Sequence, residues 1–240
     1  MALRLLAGAA IAGPVWAQGG WPSRPLRLVV GFPPGSSPDL TARALADPLA
    51  QALGQPVVVE NRPGAGGNIA ADVVARARDE HTLGLMINGN LTIAKLLNPA
   101  TPYDPFTDLA PVSLIGTAPL LPPGLAMPQV QSGRLRAVGL TSAGRSTLAP
   151  GVPSLAEVGL RGFELEIWNA VAAPATLPAE RIRRVAEALA DIVRRPDVRQ
   201  KLFSQGWQVA GTSPEALARR MRDDTARLKA VIERNGIRAQ

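Results

Sequence analysis

The stretch Leu26-Arg27-Leu28-Val29-Val30-Gly31-Phe32-Pro33-Pro34-Gly35-Ser36-Ser37-Pro38-Asp39 decides the fold. Its first seven residues read as a nearly continuous apolar run, the pattern of a strand covered on both faces. A Pro/Gly/Ser loop follows, and Leu40 to Leu53 then carries apolar residues at helical spacing. Ser37 as N-cap and Pro38 at the first helical position start this helix, and Gly54 stops it. The same order returns with Val57 to Glu60, the loop Asn61 to Asn68 and a helix from Ile69 to Ala77. It returns again with Leu83 to Ile87, Asn88-Gly89-Asn90 and a helix from Leu91 to Leu97. Strand, polar or Gly-rich loop and helix, repeated three times, predict an α/β fold with a parallel sheet whose loops gather at the carboxyl ends of its strands. Towards the C-terminus, Pro178 to Val193, Asp197 to Gln205 and Pro214 to Ile232 read as amphipathic helices, with Pro196 and Gly206 as breaks.

Composition narrows the chemistry. The 240 residues are 46% hydrophobic and 19% charged, enough apolar content for a packed core. There is no cysteine and one histidine, His81, so thiolate metal sites, disulfides, cysteine nucleophiles and multi-histidine metal sites are excluded. The net charge of +7 comes almost entirely from the segment after Ala175. There Arg181, Arg183, Arg184, Arg194, Arg195 and Arg199 alternate with Glu180, Glu187, Asp191 and Asp197. Mixed signs on helix faces fit solvated surfaces, and no nucleic-acid partner is expected.

Residues 1–17 read as a cleaved signal peptide. Arg4 supplies the positive start, Leu5 to Val15 the short apolar run, and Val15-Trp16-Ala17 the small-x-Ala cleavage pattern. The run is too short to span a membrane. An exported, periplasmic protein is the expectation.

Loops at the carboxyl ends of such a sheet are where ligands bind, and helix N-termini there offer unpaired amides to carboxylates or phosphates. Ser36 to Asp39 and Asn88 to Thr92 are the candidate anion sites. A dinucleotide fingerprint fails because Ile69 stands where a third glycine is needed, and no phosphate-binding Gly-Lys-Ser/Thr loop exists. His81, beside Asp79-Glu80, reads as an exposed turn residue and not as a catalytic base. Binding without catalysis, and without a cofactor, is the expected chemistry.

The mature part resembles the tripartite tricarboxylate transporter receptors, the Bug family of periplasmic solute-binding proteins. The resemblance rests on long words: Trp21-Pro22-Ser23-Arg24-Pro25-Leu26-Arg27-Leu28-Val29-Val30, then Leu53-Gly54-Gln55-Pro56-Val57-Val58-Val59-Glu60-Asn61-Arg62-Pro63-Gly64-Ala65-Gly66-Gly67-Asn68, Tyr103-Asp104-Pro105 and Asp108-Leu109-Ala110-Pro111-Val112-Ser113. Ser132-Gly133-Arg134-Leu135-Arg136-Ala137-Val138, Val152-Pro153-Ser154-Leu155-Ala156-Glu157-Val158-Gly159, Trp168 and Ala173-Pro174 continue it.

The resemblance implies one lobe of a type II periplasmic binding protein. It also implies capture of a small carboxylate or acidic amino acid and delivery to the membrane subunits of a tripartite transporter. Site residues carried over are Phe32, Pro34, Gly35, Ser36, Ser37, Asp39, Asn88, Gly89, Asn90 and Trp168. Asp39 suits an amino group or a held water. Gly64 to Gly67 could equally serve only a tight turn, Asn88 and Asn90 could cap backbone, and Trp168 fits a hinge or core aromatic better than a ligand platform.

The family's Ser-Ala-Gly-Asn-Gly loop and Val-Pro-Tyr-Lys-Gly word are both missing between Leu120 and Leu125. A domain-sized piece, on the order of 100 residues, is absent. A shortened paralogue, a decayed gene and an assembly deletion all produce this pattern. By the resemblance the loss is most of the second lobe, giving 18–118 as the first lobe, 119–132 as a remnant of the second and 133–240 as the return to the first. A half-cleft binds weakly, so the alternative function is a degenerate lobe acting as an interaction or dimerisation module through surface exposed by the deletion.

Overall fold

β1 (Leu26–Val30) lies between β2 (Val57–Asn61) and β3 (Thr82–Ile87), and both neighbours run parallel to it. The computed structural model describes residues 20–120, 123–142, 144–161 and 165–237, so the expected signal peptide lies outside the described residues. Leu26, Leu28, Val29 and Val30 are all buried, as a strand covered on both faces requires. The strand stops at Val30, and Gly31 and Phe32, expected within it, begin the loop.

α1 (Ser37–Leu53) crosses back over the sheet and ends at Gly54, whose left-handed φ of 77° lets its N–H bond Ala50 O. Its N-cap is Ser36, one residue earlier than expected, because Ser37 already has helical geometry and Leu40 N–H bonds Ser36 O. α2 (Asn68–Arg76) returns from β2 to β3. The single helix expected over 91–97 is two short turns, α3 (Asn88–Leu91) and α4 (Ala94–Leu97), with Thr92 out of helical geometry between them.

The parallel pattern then ends. β5 (Glu166–Pro174) is antiparallel to β3, β4 (Leu109–Pro119) is antiparallel to β5, and the two-residue β6 (Gln208–Val209) closes the edge, in the order β2-β1-β3-β5-β4-β6. The sheet is therefore mixed, with helices on both faces.

One face packs Leu28, Leu85, Ile115 and Val171 against α1, α6 (Ala179–Arg194) and α7 (Pro196–Ser204). The other packs Val29, Met86, Trp168 and Ala172 against α2 and α8 (Pro214–Asn235). Each large aliphatic side chain so covered contributes about 1.5–3 kcal/mol, so both helical layers are held by burial.

β4 ends at Pro119 directly opposite Glu166, where β5 begins. The chain between them is an excursion from this sheet, containing α5 (Pro123–Gln131) and a small cluster of Leu140, Ala149 and Val152 with Met127 against it. The chain rejoins this sheet at Glu166, and within the excursion Leu140 N–H bonds Pro153 O and Leu155 N–H bonds Leu140 O.

Candidate functional site

The carboxyl ends of β1, β2 and β3 bring three loops together. Gly31 sits against Gly67 so closely that a Cβ on it would lie 2.5 Å from Gly67 Cα. A Cβ on Gly67 would in turn lie 3.0 Å from both Phe32 Cε2 and Asn90 Oδ1. Glycine is needed at both positions for backbone approach. Gly64, Gly66 and Gly67 all take positive φ, so this segment makes the tight strand-to-helix turn and also the seat on which Phe32 and Asn90 meet.

In the β1–α1 loop Pro33, Pro34 and Gly35 are exposed, while Ser36 and Ser37 are half-buried. Ser36 Oγ donates to Pro33 O at 2.6 Å, folding the loop back on itself. Leu40 N–H closes the first turn and Pro38 has no N–H. The Ser37 and Asp39 amides are thus left without a protein acceptor among the described residues. These are the donors a carboxylate could take, reinforced by the positive end of α1.

Asp39 does not face that space. It is 1% exposed and accepts hydrogen bonds from Gly35 N–H at 2.8 Å, Arg43 Nε at 2.9 Å and Asn61 Nδ2 at 2.8 Å. Burial alone would push its carboxyl up, but Arg43, the Gly35 amide and Asn61 outweigh it and hold it below the ordinary 3.8. The carboxylate is committed to shaping the loop, which removes it as an acceptor for a solute amino group.

Asn90 is committed in the same way. Its Nδ2 donates to Gly66 O at 3.0 Å and Asn68 Oδ1 at 2.8 Å, and its Oδ1 accepts Ile87 N–H at 3.3 Å. Behind it the buried Tyr103 hydroxyl lies 2.9 Å from Asn68 Oδ1 and from Asn90 O, where burial pushes the phenol well above its ordinary value. Asn88 and Gly89 remain half-exposed at the lip.

Trp168 is not brought to this surface. It is fully buried on the face of the sheet opposite α1, and its indole N–H donates to Asp224 Oδ2 on α8 at 2.8 Å. Of its two expected roles, the core aromatic is the observed one. His81, expected exposed, is buried, and both its ring nitrogens are engaged.

Sequence reasoning missed Asn61, Asn68, Tyr103, Thr41 and Asn169. Asn169 Nδ2 donates to Thr41 Oγ1 at 3.2 Å, tying β5 to α1, while Asn169 Oδ1 and Ser37 Oγ are buried without a partner among the described residues. Asn61 and Asn68 flank the glycine turn, so their position beside a forced backbone geometry was the available signal. Among the described residues no cluster of three or more His, Asp or Glu could hold a metal ion, and no helix is long and apolar enough to cross a membrane.

The family described as tripartite tricarboxylate transporter family receptor matches residues 41–123 and 121–237. The chain belongs to this receptor family. Its members are periplasmic solute-binding proteins, and binding, not turnover, is their shared role. The receptor is similar to the protein BugT of Bordetella pertussis, at 28% identity covering 96% of this chain and 95% of BugT. That match runs over 310 positions, whereas 96% of this chain is only about 230 residues, so about 80 positions of BugT have no counterpart here. The two matched segments of the family meet at 121–123, where the sequence lacks the family's middle words.

Among solved structures, the receptor shares its fold with the periplasmic binding protein BugD, at a TM-score of 0.81 and 24% identity, covering 92% of this chain and 100% of BugD. Rhodopseudomonas palustris Rpa4515, solved with adipate, gives a TM-score of 0.82 at 24% identity, covering 91% and 99%.

Proposed function

We propose that this chain is a shortened periplasmic receptor that takes a small carboxylate at the loops following β1 and β3 and passes it to the membrane subunits of a tripartite tricarboxylate-type transporter. One observation carries the reading: the unpaired Ser37 and Asp39 amides at the positive end of α1, held by the Asp39 anchor beside the Phe32–Gly67–Asn90 junction. Export by the signal at 1–17 puts the chain where such a solute arrives. The adipate bound to Rpa4515 supports a carboxylated solute, and backbone amides accept many such anions.

The missing positions correspond to the opposing wall, the bulk of the second lobe, with 120–165 as what is left of it. A solvent-open site of neutral donors gains only about 1 kcal/mol net per hydrogen bond, so affinity should fall in the millimolar range. Isothermal titration of the folded chain with di- and tricarboxylates and acidic amino acids tests this. Saturable carboxylate binding supports the reading. No binding of any of them by a folded chain overturns it.

A second reading, an interaction or dimerisation module, is favoured by the apolar residues that the excursion exposes, Leu120, Leu135, Val138, Val158 and Leu160. Concentration-dependent association on size exclusion without solute binding would select it.

A further inference from the structure

The segment that leads into β1 is held against α6 and the turn before β3. Trp21 Nε1 donates to Glu80 O at 2.9 Å, and Arg184 donates to Trp21 O. The Arg181 guanidinium lies 5.6 Å from the Trp21 ring centre and pairs with Glu80. Arg24 donates to Asp79 O at 3.2 Å. Between these contacts Ser23 N–H points at His81 Nε2, 3.2 Å away. A backbone N–H can only donate, so Nε2 must offer a lone pair. The proton then sits on Nδ1, which lies 2.7 Å from Asp79 O and donates to it. The ring is buried and packs at a tilt 6.1 Å from Trp21.

Every other contact in this clasp keeps its donors and acceptors through the neutral and mildly acidic range. Guanidinium, indole and carbonyl groups do not titrate there. Burial favours raising Asp79, but the His81 amide, the Thr82 hydroxyl, Arg24 and Arg27 overcome it and keep the carboxylate ionised.

We propose that His81 is a proton-sensitive catch on the segment leading into β1: neutral, its Nε2 lone pair holds Ser23 N–H; protonated, the same nitrogen carries a hydrogen and lets Ser23 go. The charged groups around the ring are Asp79 and Glu80 from its own turn, Arg24 from the leading segment, Arg27 from β1 and Arg181 from α6. Asp79 pairs with Arg24 at 3.6 Å and Glu80 pairs with Arg181. His81 is the chain's single histidine, so the whole effect belongs to one group. Release would free Ser23 while leaving Trp21 on Glu80 and α6, Arg27 N–H on His81 O and the sheet itself intact.

The test is amide hydrogen exchange at Ser23, corrected for the intrinsic rate, across pH 5 to 8, on the full chain and on His81→Gln, whose Oε1 accepts the same N–H at every pH. Ser23 protection in the parent chain should fall by about fivefold across this series as the ring takes up its proton, the factor one net hydrogen bond carries. It should stay flat in the variant. Equal pH dependence in both, or none in the parent, overturns the proposal. Should the variant fail to fold, the His81 ring signal in the parent decides: its titration midpoint must coincide with that of Ser23 exchange, and separation by more than about one pH unit overturns the catch.

Discussion

Asp39 on α1 accepts the Asn61 side-chain amide of β2 at 2.8 Å, so one buried carboxylate fixes the relation between the first helix and the second strand. The same oxygen pair holds Gly35 and Arg43, and Asn61 reaches on to Phe32 O at 2.9 Å. The loop over the candidate carboxylate site is thus set by a carboxylate whose hydrogen bonds go to this chain's own donors.

Asp39→Ala should destabilise the fold by about 1–3 kcal/mol, because three partly exposed donors lose their one buried acceptor at once. Urea denaturation measures it. Asp39→Asn should cost less, since one oxygen remains. An Asp39→Ala chain as stable as the parent would show that the carboxylate holds nothing.

Acid should act through the same anchor. Asp39, Glu60, Asp79 and Asp108 are all held below their ordinary values, so their stabilising contribution is full above the unfolded carboxylate range near pH 4. It is lost as pH falls through their lowered native values. Thermal melts from pH 6 to pH 2 should show the decline beginning near pH 4, and Asp39→Asn should be less acid-sensitive than the parent.

The glycine junction gives a graded pair. Gly31→Ala drives a methyl against Gly67 backbone, which cannot move aside like a side-chain tip, and should cost about 1–3 kcal/mol. Gly35→Ala meets open space and pays only for its φ of 80°, about 1–2 kcal/mol. Equal melts for Gly31→Ala and the parent would contradict the packing of the three loops.

Trp168→Phe separates a core role from a ligand role. It should cost about 1.5–3 kcal/mol by freeing Asp224, which Arg220 and Arg227 still pair, and should leave carboxylate affinity within a factor of about two. A selective loss of affinity at unchanged stability would place the indole in the site after all.

The parts legible in the sequence were those written in consecutive residues. The run from Leu26, the Pro/Gly/Ser loop and the start of α1 announce themselves within fourteen positions, and so did the turn at Gly64 to Gly67. β4 was hidden because Pro111, Gly116 and Pro119 interrupt any alternation and two bulges break its register. β5 was hidden for the opposite reason: Ala170 to Ala173 are buried on both faces of a central strand and show no period. The polar site residues misled in a consistent way. Asp39 and Asn90 follow strands and sit in the first turns of helices, which suits ligand contact, yet their partners Asn61 and Asn68 stand 22 residues away in each case. Local spacing carries no trace of such pairings.

Pro119 and Glu166 are cross-strand neighbours, so everything between them departs from and returns to one end of the β4–β5 pair. Closing a loop there becomes costlier only as the logarithm of its length, and lengthening residues 120–165 by about 80 positions changes the closure term by about 1 kcal/mol. The sheet is indifferent to the size of what hangs from that point. An exchange or loss of material at this junction alters the scaffold's own closure cost by no more than that, so the excursion behaves as a replaceable cassette.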